Sequence, residues 1–257
     1  MPAGAPAGAG PGRLAGRSRR ARRRLEAEAR TVKLVRPVLV LLLKDLRVEW
    51  RGRVRFLSIV LFGGITLVLF SFAIDAEGDL AATMAPGFLT LALLLSSTLG
   101  LSESFRVERE NRSLEGLLLL PVEPAVLFYA KAMGNFVFLA MLAPVLVPSA
   151  IILYSVETGP AGFVGVIAVW LLAAAALAAP GTLYAAMTSR AASQDVLLPL
   201  LLFPLVIPVL IASVKSAELL LHGDPMNQAP SWFLLLVAFD VIYWALGGVL
   251  ARVAMEE

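Results

Sequence analysis

The residues of this chain that could do chemistry are concentrated in one charged stretch, residues 103–124. Acids and bases alternate there at helical spacing, and Glu108 precedes Arg112 by four residues, the favourable order for an ion pair on a helix. A helix with so many charges cannot stay in hydrocarbon. The apolar run 114–120 then ends at Pro121, which cannot continue a helix. The pattern predicts a helical elbow that leaves the membrane, presents a surface for binding and returns.

Outside this stretch, residues that could carry catalysis or bind a metal are scarce. The chain has no cysteine, which excludes disulfides, thiolate metal sites and thiol nucleophiles. Its single histidine, His222, excludes a metal-binding helix with two histidine ligands. We therefore predict no catalytic residue and no metal site.

Asp240 is an acid in the middle of an apolar run. A carboxylate at mid-bilayer costs roughly 2.5 to 3.5 kcal/mol on insertion scales, so its side chain should face protein or water. It is either an interhelical contact or part of a substrate or proton pathway. An aspartyl enzyme built from Asp195 and Asp240 is disfavoured, because the predicted spans put Asp195 at a membrane edge, too far away to share a proton.

Three prolines, Pro199, Pro204 and Pro208, lie in the apolar run VLLPLLLFPLVIPVL. Each removes a backbone donor from the helix, so together they predict a kinked or broken span. Helices that move in transporters and helices that are bent but static share this pattern. The residues alone leave both interpretations open.

Membrane helices must position these residues. Of the 257 residues, 59% are hydrophobic and 16% are charged, and the mean hydropathy is +0.82, far more apolar than a soluble domain. Each span needs about 20 apolar residues. The sequence predicts an all-α membrane protein with six spans: Phe56 to Ile74, Met84 to Leu101, Ala132 to Tyr154, Ala161 to Met187, Val196 to Val214 and Trp232 to Leu250.

The distribution of Lys and Arg predicts the orientation of these spans. Most of the 22 Lys and Arg lie in residues 1–55, and Lys215 is the only one in a loop on the side opposite the elbow. Positive charge favours the cytoplasmic side, so we predict that both termini and the elbow are cytoplasmic. The basic N-terminal region is an ordinary topology signal of this kind, and we predict no nucleic-acid binding.

The predicted organisation has four parts. Residues 1–30 have almost nothing to bury, which predicts a disordered basic extension. Residues 31–55 carry apolar groups on one stripe with bases between them, which predicts an interfacial helix on the cytoplasmic face. Residues 56–250 form the six-span domain with its elbow at 103–124, and residues 251–257 form a cytoplasmic tail.

Several motifs resemble one family of transport proteins. The elbow from 108 to 122, followed by Lys131 and Ala132, resembles the elbow of ABC-2 type permeases, which docks an ATPase through a coupling helix. The run 195–209 and the motif FDVI at 239–242, with the Glu-Glu terminus, resemble the heme exporter protein B family, CcmB. Three shorter motifs fit the same family: KDLR at 44–47, LFSFA at 69–73 and APG at 85–87. Asn111 and Arg112 depart from it, because the family often has an acid and a glycine there.

The resemblance implies the membrane subunit of an ABC transporter for cytochrome c maturation in the bacterial inner membrane. Haem would be its substrate, and its partners would be the ATPase CcmA, the haem-handling CcmC, the small CcmD and a second copy of the chain. The chain has no GxxxxGK[ST] phosphate loop, so ATP energy must come from a partner and the chain itself is not an enzyme. Another cargo, such as a drug, a lipid or a polysaccharide, and a scaffolding role without transport stay open.

The resemblance also gives the residues specific roles. Movement of the ATPase would move the elbow, tilt spans two and three and change their packing against the fifth span. Independently of the resemblance, the residues leave two roles open for Asp240 and the three prolines, which line a pathway or pack helices, and two for His222, which ligates haem iron or is simply solvated. The predicted docking residues, with charges that fix the register and a leucine that enters a groove of the ATPase, are Glu103, Arg106, Glu108, Arg109, Glu110, Leu114 and Glu115.

Overall fold

The computed structural model describes residues 38, 40–43, 53–74, 79–110, 124–188, 194–224 and 226–256; at some helix ends, including 105–110 and 252–256, it describes the backbone alone. In this part of the chain every regular element is an α-helix, as predicted. The helices are α1 (Arg53–Ala73), α2 (Asp79–Glu110), α3 (Pro124–Ala140), α4 (Ala143–Leu153), α5 (Pro160–Thr188), α6 (Gln194–His222) and α7 (Ala229–Glu256).

The described helices contain six stretches that are long and apolar enough to cross a membrane, which confirms the predicted number of spans. Most of them extend beyond the predicted ends, because a helix continues through polar flanking residues as long as its backbone hydrogen bonds continue. Large apolar side chains are exposed on α1, α6 and α7, as expected for surfaces that contact lipid. The six stretches are Phe56–Ala73, Leu80–Ser104, Pro124–Leu153, Pro160–Thr188, Val196–His222 and Ala229–Ala251.

The third span is interrupted, which the sequence analysis did not predict. α3 ends at Ala140, a turn follows, and α4 begins at Ala143 with Pro144 in its first turn. Pro144 has no N–H to donate to Ala140, so the regular bonding stops there. It restarts when the amide of Leu146 donates to the carbonyl of Leu142 over 2.9 Å. The third span is therefore two helices in series.

The fifth span is the opposite case, because α6 is a single helix that includes all three of its prolines. Of the two predicted outcomes, a kinked or a broken span, the broken span is therefore wrong, and the kink stays a prediction. Pro204 and Pro208 are exposed, and Pro199 is half-buried. The buried stripe of α6, which includes Leu198, Leu202 and Val206, holds the helix against its neighbours. Proline is tolerated in membrane helices where neighbouring packing supports the weakened backbone.

The centre of the bundle is α5, which packs against α2, α3, α4, α6 and α7. Its middle consists of small buried side chains, which allow other helices to approach closely. Trp170 in the same helix donates its ring N–H to the carbonyl of Leu139 in α3 over 3.0 Å. The buried alanines and glycine in the middle of α5 are Ala173, Ala174, Ala176, Ala178, Ala179 and Gly181.

Parts of the predicted N-terminal organisation lie outside the described residues. The predicted extension 1–30 and most of the predicted interfacial helix 31–55 belong to this group. Residues 40–43 are helical, and α1 begins at Arg53. Both the extension and the interfacial helix stay predictions.

Candidate coupling site

The charged half of the elbow is the last part of α2. This helix crosses the membrane region and continues without interruption to Glu110, so the elbow begins as a direct extension of the second span. The helical register puts Glu103, Arg106 and Glu110 at positions i, i+3 and i+7, and therefore on one face. Charges of both signs share that face. We call residues 103–110 the α2 extension.

The predicted docking residues fall into two groups, those that the structure describes and those that it does not. Five lie within the α2 extension, where Glu103 is half-buried and the backbone alone places the other four. Leu114 and Glu115 lie outside the described residues. The five residues that share two turns of one helix are Glu103, Arg106, Glu108, Arg109 and Glu110.

The root of the α2 extension is held tightly by two other helices. Gly100 faces the ring of Phe138 in α3, and a Cβ at residue 100 would lie 2.8 Å from Phe138 Cε1. One residue further on, the buried side chain of Leu101 lies against Gly181 of α5. Because this root has no spare space, a tilt of the extension must displace α3 and α5.

The return arm of the elbow is the start of α3, and polar side chains of this arm are buried. Lys131 is only 8% exposed. One turn further on, Asn135 Nδ2 donates to Thr182 Oγ1 over 2.9 Å, and this bond joins α3 to α5. Thr182 Oγ1 donates in turn to the carbonyl of Ala178. The return arm is therefore held in place by polar contacts in addition to apolar ones.

The return arm also contacts the last span. Phe128 and Tyr129 lie against Gly247 and Gly248 of α7. Tyr129 Oη donates to the carbonyl of Trp244 over 3.1 Å, and the two rings are nearly parallel with centroids 6.5 Å apart. The elbow thus enters the bundle at two places, through α2 and through this contact.

Sequence reasoning missed Asn135 and the contact between Phe128, Tyr129 and the two glycines. Hydropathy records that a residue is apolar, but it does not record which helix the residue meets. Two signals were present: a lone Asn inside a span, and two successive glycines, Gly247 and Gly248, inside another. Both are typical of helix–helix contacts in membranes.

Asp240 lies on the side of α7 that packs against the bundle, the same side as Leu236 and Gly247. It is half-buried, and its Oδ1 is buried without a hydrogen-bond partner among the described residues. Asp195 lies in the first turn of α6, about 40 Å from the α6–α7 loop at 1.5 Å per residue, whereas Asp240 lies about 16 Å from it. The two acids are therefore not an aspartyl pair.

Of the other predicted intramembrane and outer residues, Pro199 is half-buried and the rest are exposed. Pro204 and Pro208 are on the exposed side of α6, away from the buried stripe. His222 is exposed at the last position of α6. The loop that follows is ordered by Asp224, whose carboxylate accepts the amides of Gln228 and Ala229 over 2.8 Å each. Among the described residues, His, Asp and Glu form no group of three that could hold a metal ion.

This architecture defines a class, the α-helical membrane proteins with six spans, here with a charged helical extension between the second and the third. Comparison with known families then gives the particular one. The family model described as CcmB protein matches residues 36–256. The chain belongs to the CcmB family.

Several relatives carry the same name, heme exporter protein B. The protein of Paracoccus denitrificans is 32% identical over 223 residues, which cover 84% of this chain and 97% of that protein. The protein of Pseudomonas aeruginosa is 30% identical over 201 residues, or 77% of this chain and 88% of that protein. The protein of Bradyrhizobium diazoefficiens is 28% identical over 218 residues, or 84% and 96%.

Proposed function

We propose that this chain is the membrane permease subunit of an ABC complex that exports or releases haem for cytochrome c biogenesis. The observation that carries this proposal is the extent of the family match, which includes the elbow and all six spans. The relatives named heme exporter protein B match over most of their own length. In this proposal haem is the cargo, and the chain is a moving transport subunit rather than an enzyme.

The ATPase docks on the α2 extension. Charges of both signs on one face would fix the register of the docked partner, and Glu108 and Arg109 on the other sides of the helix would widen the contact. Leu114 and Glu115 would complete it. Since the extension continues a membrane helix without a loop between them, a tilt of the docked surface is also a tilt of the second span.

The orientation and the partners follow the same proposal. The elbow and both termini face the cytoplasm of the bacterial inner membrane, since nearly all Lys and Arg lie on that side. CcmA supplies the ATPase and binds ATP, CcmC handles haem, CcmD is the small subunit, and a second copy of this chain is a further candidate partner. On the opposite side, His222 would meet haem as a neutral imidazole ligand.

Docking is tested by reversing two charges of the α2 extension, R109E together with E110R, in a tagged chain expressed with its ATPase. We expect the amount of co-purified ATPase to fall about tenfold or more, because like charges would then face each other across the contact. The matched control reverses Lys215 and Glu218, an exposed ion pair of α6 whose Nζ and Oε2 are 2.8 Å apart. Equal recovery of ATPase with both double variants would refute docking on the extension.

The cargo is tested on the same complex by absorption spectroscopy. A Soret band that moves from the complex to an added haem acceptor when ATP is present, as seen after the two are separated, supports haem release. A colourless complex that contains an active ATPase would instead favour a drug, a lipid or a polysaccharide. Haem that stays on a partner protein while ATP is consumed would favour a scaffold without transport.

A further inference from the structure

One contact links the return arm of the elbow to the last span, and the proposed function has not used it. We call it the inner contact, and it consists of five residues: Phe128 and Tyr129 of α3, and Trp244, Gly247 and Gly248 of α7. Phe128 is 0% exposed. Its ring meets that of Tyr129 edge to face, with centroids 5.4 Å apart. Ala132, Ala179, Leu183 and Ala251 surround it with further buried apolar atoms.

The two successive glycines of the inner contact are explained by the lack of room for a Cβ atom at either position. A Cβ at residue 247 would lie 2.6 Å from Phe128 Cε1, and a Cβ at residue 248 would lie 2.7 Å from Tyr129 Cζ. Glycine is a poor helix former, so a Gly-Gly pair inside a span needs a reason, and the close approach of α3 supplies it. Gly64 and Gly87 differ, because open space lies where their Cβ atoms would stand.

Two hydrogen bonds extend the inner contact into the centre of the bundle. Tyr129 Oη donates to the carbonyl of Trp244 over 3.1 Å. The ring N–H of the same Trp244 donates to the carbonyl of Ala175 in α5, also over 3.1 Å. A single residue of α7 thus bonds to the return arm on one side and to the central helix on the other. Rigid packing and bonds of this kind are the physical means by which one helix displaces another.

We propose that Phe128 and Tyr129 are positioning residues that transmit movement of the elbow to α7. Both lie in the second turn of α3, close to the point where the elbow returns. Gly247 and Asp240 lie on the same side of α7, two turns apart, so a shift at the inner contact also moves the half-buried acid. This inference rests on the proposed function, because it needs an ATPase that moves the elbow.

The inner contact changes the expected route of coupling. The sequence analysis expected movement of the elbow to tilt spans two and three and to change their packing against the fifth span. In the structure α3 packs on α2, α5 and α7, whereas α6, the fifth span, packs on α2, α5 and α7. The return arm therefore acts first on the fourth and sixth spans. The outgoing arm, α2, is the part of the elbow that reaches α6.

The test uses the complete complex in lipid nanodiscs and the variant Gly247→Ala, with Gly64→Ala and Gly87→Ala as matched controls. We expect the Gly247→Ala complex to retain its ATPase and to hydrolyse ATP, while ATP-dependent haem release falls about tenfold. Adding Phe128→Leu to Gly247→Ala makes room for the new methyl group while an apolar side chain still fills the contact, and should restore release to about a third of wild type or more. Release equal to that of both glycine controls would overturn the inference.

The movement of α7 relative to α5 gives a second readout. Gly247→Ala would leave this movement unchanged if the inner contact only stabilised the fold. Because the chain has no cysteine, spin labels at Val249→Cys of α7 and Met187→Cys of α5, both exposed, report the distance between these helices. We expect this distance to change with ATP in the wild type and not in Gly247→Ala.

If Gly247→Ala fails to assemble, Tyr129→Phe removes a single hydroxyl and should lower release several-fold with ATPase recovery unchanged. Unaltered release and unaltered movement in Tyr129→Phe would overturn the inference. Failure of the proposed function is distinct, since the wild-type chain would then recover no ATPase or release no haem.

Discussion

Asn135 and Thr182 form a hydrogen bond of 2.9 Å between α3 and α5, one turn beyond the buried Lys131. Both residues are buried, and the hydroxyl of Thr182 donates its own hydrogen bond to the carbonyl of Ala178. The Asn135 amide is therefore the donor of this interhelical bond, and the threonine is the acceptor. The bond holds α3 and α5 together beside the elbow, and because both residues are buried, water does not replace either partner.

Replacing Asn135 by Ala should therefore destabilise the subunit. Interhelical hydrogen bonds in membranes contribute about 0.6 kcal/mol on average and up to about 1.7 kcal/mol, and the buried site favours the upper half of that range. Thermal unfolding in detergent, followed by circular dichroism, should show a lower Tm. Ser149→Ala is the control, because its hydroxyl is exposed and bonds within α4 to the carbonyl of Val145. Equal Tm values for both variants would contradict this role.

Tyr154 provides a second test of helix attachment. Its buried hydroxyl donates to the carbonyl of Leu67 over 2.7 Å and joins the end of α4 to α1. Tyr154→Phe keeps the ring and removes the hydrogen bond, so we expect the free energy of unfolding to fall by about 1 kcal/mol. Hydrogen exchange followed by mass spectrometry should show faster exchange in α1 and unchanged exchange in α6. If exchange in α1 is as slow in Tyr154→Phe as in the wild type, the hydrogen bond does not anchor α1.

The sequence predicted the number of spans and the helical class because both depend on a local property, the apolar composition of a stretch. It also predicted that the charged stretch begins as a helix beyond the second span, and α2 does continue to Glu110, while the rest of the elbow stays a prediction. Its errors concern the backbone inside apolar runs. Pro144 interrupts the third span, whereas three prolines leave α6 a single helix. Proline removes the same donor in both cases, so the difference lies in how neighbouring helices support the chain.

The contacts around the elbow were harder to predict because each joins residues far apart in the sequence. Phe128 and Gly247 belong to different spans, and neither residue type indicates its partner. A side chain as large as phenylalanine needs a partner without a side chain where two helices approach closely. The Gly-Gly pair therefore indicates that some helix comes close, and the fold decides that this helix is α3.

The proposed orientation can be tested by labelling single-cysteine variants. Because the chain has no cysteine of its own, only the introduced residue can react. Met226 is 77% exposed in the loop between α6 and α7, so Met226→Cys should react in intact cells with a reagent that cannot cross the inner membrane. Asn111→Cys, directly after the α2 extension, should react only after the membrane is permeabilised. Labelling of Asn111→Cys in intact cells would put the elbow on the wrong side for an ATPase.

Asp240 separates a structural role from a transport role. Because its buried Oδ1 has no hydrogen-bond donor among the described residues, no hydrogen bond there offsets the cost of burying that oxygen. Asp240→Asn should therefore leave the Tm of the purified subunit unchanged or raise it by a few degrees, about 2 to 4 °C per kcal/mol for a chain of this size. A lower Tm would show that the acid is a structural contact after all. If Asp240 belongs to a pathway, ATP-dependent haem release falls in Asp240→Asn while the Tm holds, and Asp240→Glu, which keeps the acid, restores part of the release.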